Sequence, residues 1–153
     1  MLKFVSFRRF TVLCAVLAFA VINTYTVTAG STLKISTAGN GFALTVAGKS
    51  APIYVSADDY PGVIRACRDL QTDIGKVTNA VPKLYTNEYP KSKQVVITGT
   101  LGKSALIDAL VREGKINSES IAGKWESFVI QVVTKPMRGV QEALVIAGSD
   151  KRG

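Results

Sequence analysis

The chain has 153 residues, 47% of them hydrophobic, which suits a single folded domain and excludes a disordered tail as the main component. It has no histidine and only two cysteines, so neither a structural zinc site nor a histidine-based relay can be assembled from it. Its formal charge of +8 makes an anionic partner worth considering, but the basic residues are scattered rather than blocked and are not interleaved with aromatics. A nucleic-acid surface would concentrate them.

Residues 1–29 read as a signal peptide. Lys3, Arg8 and Arg9 precede the apolar run Phe10 to Ile22, and Val27 and Ala29 meet the small-residue pattern before a cleavage point at Gly30. The run is shorter than the ~20 residues that span a bilayer, which favours cleavage over a retained anchor. The expected product is secreted or periplasmic and free of the membrane after cleavage. Cys14 would leave with the leader, so Cys67 would have no disulfide partner. The remaining residues 30–153 carry 16 basic and 11 acidic side chains, a formal charge of +5. A solvated basic surface accounts for that charge; in an exported protein, an acidic polysaccharide is the partner that would also suit it.

Beyond a Gly- and Thr-rich lead-in, Gly41 to Ser56 reads as two short strands around a turn at Gly48 and Lys49. Asp58 and Asp59 precede Pro61, a pattern that places two acids at the positive end of a helix with proline at its first position. Apolar residues then recur at Val63, Cys67, Leu70, Ile74 and Val77, the stripe of an amphipathic helix, with Cys67 as a small core residue. "NAVPKLYTNEYPKSK", Asn79 to Lys93, is a polar connection with at most a short strand near Lys83 to Tyr85. "QVVITG", Gln94 to Gly99, has the near-continuous apolar character of a central strand.

"TGTLGKS", Thr98 to Ser104, resembles a phosphate-binding loop in order but not in spacing. The motif would need a glycine where Ile97 stands, and Gly99 and Gly102 enclose only two residues. A strand-to-helix turn capped by Ser104 is the better reading. Leu106, Ile107, Leu110 and Val111 form the buried side of the helix, and Gly114 ends it. A polar loop through Glu119 leads to "ESFVIQVV" and "EALVIAG", joined by "TKPMRG" as a hairpin. The expected fold is α/β, an open mixed sheet with two or more helices. With no further helix to cover the sheet after the last strand, it is expected to be incomplete at the C-terminus.

No catalytic residue, metal ligand or cofactor site is assigned. Glycosidic hydrolysis would need two spaced carboxylates, one with a raised pKa; Asp58 and Asp59 are adjacent, and Asp108 and Glu113 do not share a helix face well. Ligands of open α/β sheets bind beyond the carboxyl ends of the strands, which makes Asp150, Lys151 and Arg152 candidate substrate contacts. Capping or mutual pairing on the surface is the simpler role for these three. Trp125, the one tryptophan, is a candidate sugar-stacking residue, with packing at the domain edge as the favoured reading. Tyr54, Tyr60, Tyr85 and Tyr89 read as packing residues rather than a binding platform.

Four segments, "APIYVSADDYPGVIRACRDLQTDIGKVT", "VVITGTLGKSALIDALVREGKI", "GKWESFVIQVV" and "ALVIAGSDKRG", together resemble the N-terminal domain of glycoside hydrolase family 115, the secreted xylan α-1,2-glucuronidases. The resemblance runs from Ala51 to Gly153. It implies a small accessory α/β domain ahead of a (β/α)₈ catalytic barrel in an enzyme that removes glucuronic acid, or its 4-O-methyl form, from xylan with inversion. The family's catalytic carboxylates belong to the barrel, so the resemblance places none of them on this chain. The partner it implies is glucuronoxylan or a related acidic polysaccharide, reached through the parent enzyme, with no nucleotide or nucleic acid. A freestanding exported module that binds acidic polysaccharide is the alternative.

Overall fold

The structure is a computed structural model and describes residues 41–153. The leader at 1–29, Cys14 and the lead-in to Asn40 lie outside the described residues. Among those described, the order is β1 (Thr45–Val46), β2 (Lys49–Ser50), β3 (Ile53–Val55), α1 (Pro61–Thr78), β4 (Leu84–Tyr85), β5 (Gln94–Thr100), α2 (Ala105–Arg112), β6 (Phe128–Thr134) and β7 (Glu142–Gly148). Five strands form one mixed sheet in the order β4-β3-β5-β7-β6. Four of them run parallel, and β6 returns antiparallel to β7. This is the α/β class with two helices that the sequence pattern implies.

The first hairpin differs from expectation. Its turn is Ala47 and Gly48, both at positive φ, the arrangement that suits a two-residue turn between twisted strands. The pairing then ends, and Ile53–Val55 leaves to join the main sheet. Pro52 cannot donate to a ladder, and Ile53, Tyr54 and Val55 are all buried, so burial on both faces outweighs continuation of the hairpin.

The two faces of the sheet hold separate cores. On one, α1 lays Cys67 and Ile74 over Ile53, Val55 and Val96. On the other, α2 lays Leu106, Ile107 and Leu110 over Val95, Ile97, Val145 and Ala147. Adjacent residues of β5 therefore serve opposite cores, which is why that strand reads as an unbroken apolar run. Each fully buried large side chain contributes roughly 1.5–3 kcal/mol.

The stripe of α1 is shorter than its spacing suggests, because Val77 is solvent-exposed. The chain returning from α1 crosses at Gly75 instead, where an added Cβ would meet Val81 Cγ2 at 2.7 Å. Asn79, at a φ of 55°, closes this helix. In α2, Ser104 accepts a hydrogen bond from Ile107 N–H. Gly114 N–H donates to the Val111 carbonyl and Lys115 N–H to that of Leu110, forming a Schellman closure. The segment after Gly114, expected to be simply polar, pins Ile116 and Ile121 into the α2-side core.

Coverage is uneven. On the α1 side, α1 packs over β3, β4 and β5, while Phe128 and Val132 of β6 are exposed, with Ile130, Leu144 and Ile146 half-buried.

Candidate functional site: the two ends of the parallel sheet

At the carboxyl end, the helices following β3 and β5 leave toward opposite faces, so these neighbouring strands form a topological switch point, the customary ligand position in such sheets. Here it is latched from within. Asp59, only 5% exposed, accepts hydrogen bonds from the backbone N–H and hydroxyl of Thr100, each at 2.8 Å, and from Tyr60 N–H at 2.8 Å. Asp58 and Asp59 do lie just ahead of the helix that starts at Pro61, as expected, but neither side chain caps it, and Asp59 also ties the β3–α1 loop to the end of β5.

The same latch explains the chemistry of "TGTLGKS". Thr100 N–H donates to Asp59, Leu101 N–H to the Gly148 carbonyl, Gly102 N–H to Asp108, and the N–H groups of Lys103 and Ser104 to the Thr100 carbonyl. Every backbone donor from Thr100 to Ser104 is thus engaged within the fold. Gly99 is required by packing, since a side chain there would run into Ser104 Cβ at 2.6 Å, while Gly102 takes a φ of 73° in the turn. Lys103 extends over the Tyr60 ring at 5.1 Å.

Three of the four sequence candidates converge beside the β7 end. The Asp150 carboxylate accepts from the backbone N–H groups of Glu126, Arg152 and Gly153, which hold its pKa below the usual range, the Glu126 bond contributing most. Arg152 donates to Glu126 at 2.8 Å and lies 5.6 Å from the Trp125 ring centre. Lys151 is exposed and makes no salt bridge among the described residues. The side chains of Asp150 and Arg152 do not pair with each other: Asp150 is taken up by backbone donors, Arg152 N–H among them, and the Arg152 guanidinium by Glu126. Trp125 is the correction: it is 70% exposed rather than packed at the edge, because the turn at Gly123 and the positive φ of Glu126 carry it outward and the arginine is its neighbour.

The amino end of the sheet carries the feature that sequence inspection missed. A cleft of about 630 Å³ is bordered by Tyr89, Lys91, Lys93, Met137 and Arg138. No acidic side chain lines it, and none of its three cations forms a salt bridge among the described residues. A neighbouring cleft of about 500 Å³ shares Met137 and Arg138 and adds Lys135 and the Lys115–Glu113 ion pair at 2.7 Å. Tyr89, expected to pack, is 53% exposed, with one side against Tyr54 at a centroid distance of 5.0 Å. Burial first, then the Tyr89 hydroxyl, push the Tyr54 pKa up to about 12.

The loop walls are held by backbone. The Lys93 carbonyl accepts from both Gln141 and Glu142 N–H, at 2.8 and 3.1 Å, and Lys115 Nζ donates to the Lys135 carbonyl at 3.0 Å. The only sequence signal was "YPKSK", an aromatic beside two lysines; Arg138 lies too far along the chain to be joined to it by spacing. Among the described residues no group of three or more potential metal-ligating side chains occurs, and no helix is long and apolar enough to cross a membrane. No protein-family model matches the chain, and no curated protein matches it.

Proposed function

We propose that this chain is the non-catalytic accessory α/β unit of an exported glycoside hydrolase of the family 115 α-glucuronidase kind. The whole enzyme would act on glucuronoxylan or a related acidic polysaccharide. With no matching family model, the reading rests on the four quoted segments and their order. One structural observation supports it: among the described residues nothing covers the apolar side of the β6–β7 half of the sheet, where Phe128 and Val132 face solvent. Such a face suits a unit that rests against a larger neighbour. The acids also fit a non-catalytic part. Asp59 uses both carboxylate oxygens to hold Thr100, and Asp150 is held ionised by backbone donors, whereas a glycosidic general acid needs a raised pKa.

The experiment is to read the coding sequence beyond Gly153 for a frame encoding a catalytic barrel, and to assay the chain for release of glucuronic acid from xylan. A continuing barrel frame and no release by the chain alone are expected. An authentic stop without such a frame would sink the accessory reading, and release of uronic acid would overturn the non-catalytic one. The second reading, a freestanding exported module that binds acidic polysaccharide, is favoured by the acid-free basic cleft.

A further inference from the structure

We propose that the cleft between Tyr89 and Arg138 is a binding site for a carboxylated sugar unit of an acidic polysaccharide. The inference rests on the reading that the partner is an acidic glycan, and it names the surface and the residues that would contact it. Lys91, Lys93 and Arg138 bring three positive charges to one opening with no acid in its lining, so an anion entering meets attraction without a competing carboxylate. Glu88, next in sequence to Tyr89, is exposed and is not part of that lining. Lysine supplies a mobile point charge, whereas the planar guanidinium of Arg138 can grip both oxygens of a carboxylate.

Tyr89 makes the chemistry specific to a ring. Its contact with Tyr54 steadies the side chain while half of its surface stays open, and Met137 adds a half-buried apolar edge. A pyranose bearing a carboxylate has both complements: a C–H face that rests on an aromatic and an anion that reaches a guanidinium. A bare phosphate would leave the tyrosine unused. A nucleic-acid strand would call for successive stacking aromatics along a basic track, and among the described residues the cleft has one. The volume of about 630 Å³ falls within the roughly 300–1,000 Å³ of ordinary ligand sites. The doubly used Lys93 carbonyl fixes the two walls relative to each other, which limits the ordering cost of binding.

The test is affinity electrophoresis and calorimetry of the purified chain with glucuronoxylan, with the same xylan stripped of uronic acid, and with a single-stranded oligonucleotide. The wild type should bind glucuronoxylan, more weakly as salt is raised, and should bind stripped xylan at least tenfold less well. Arg138→Ala and Tyr89→Ala should each weaken binding about tenfold, Tyr89→Phe should retain it, and Lys124→Ala, outside the cleft, should leave it unchanged. Arg138 and Tyr89 are exposed, and far-UV circular dichroism verifies that the variants keep the fold. Salt-sensitive binding that persists undiminished in the cleft variants would overturn this site while leaving the acidic-glycan reading intact. Equal binding of stripped xylan, or preference for the oligonucleotide, would overturn the ligand class. No retention of the wild type on glucuronoxylan would overturn acidic-glycan binding by this chain, the cleft included.

Discussion

Replacing Asp59 with alanine should destabilise the protein more than any single change among its exposed acids. The carboxylate is 5% exposed and the residue it holds, Thr100, is 2% exposed, so water cannot replace the lost acceptor. Hydrogen bonds to a charged group contribute about 1.5–3 kcal/mol each, and a buried donor left without a partner costs about 1–3 kcal/mol. The Thr100 hydroxyl can turn to another acceptor, but its backbone N–H cannot; release of the buried charge from its desolvated position offsets part of the loss. A net cost of about 3 kcal/mol follows, a large part of the 5–15 kcal/mol typical of a domain. At about 4 °C per kcal/mol, Tm should fall by about 12 °C. Urea unfolding followed by far-UV circular dichroism reads the loss directly. Thr100→Val, which removes one of the donors and keeps the N–H bond, should cost about 1 kcal/mol, and the two changes together should fall short of their sum by about 1 kcal/mol. A loss below about 1 kcal/mol for Asp59→Ala, or strict additivity in the double variant, would refute the latch.

Other parts of the fold give further expectations. Thr98 Oγ1 is buried without a hydrogen-bond partner of good geometry, so Thr98→Val should be neutral or raise stability by up to about 1 kcal/mol, measured by the same denaturation; a loss above 1 kcal/mol would show that the hydroxyl has a partner, the neighbouring Cys67 thiol being the candidate. Burial pushes the Cys67 thiol up, only partly countered by Thr98, so native protein at pH 8 should resist alkylation there and react promptly once unfolded, as peptide mass spectrometry would show. Tyr54 holds its proton more tightly folded than unfolded; its contribution to stability is complete below about pH 10 and is lost as pH rises toward 12. Ultraviolet titration should show a late-ionising component that disappears in Tyr54→Phe and moves to lower pH in Tyr89→Ala. Gly99→Ala, forcing a Cβ against Ser104, should cost about 2 kcal/mol or more by displacing the start of α2, whereas Gly102→Ala should cost about 1 kcal/mol from backbone strain alone; equal costs would contradict the packing explanation.

What could be read directly from the sequence was local. The apolar run of β5, the Ser104 cap and Gly114 stop of α2, and the β6–β7 hairpin each depend on residues a few positions apart, where periodicity, capping and turn chemistry operate. Tertiary structure decided the matters that depend on distant partners. Asp59 lies 41 residues before the threonine it grips, and its place ahead of Pro61 marks the helix start but gives no sign of that distant partner. Val77 follows the helical period perfectly, but the strand-bound chain returns over Gly75 and leaves it in water. Trp125 and Tyr89 illustrate the same limit, since exposure is a property of the neighbours that arrive, and spacing along one segment does not specify them. The basic cleft was hidden for this reason: Lys91 and Lys93 approach β5 from one connection and Arg138 arrives on another, and only the pairing of β5 with β7 sets the two loops side by side. A short-range pattern fixes which residues a segment buries, whereas the strand order chooses which segments share an end of the sheet, and the charges gathered there follow from that choice.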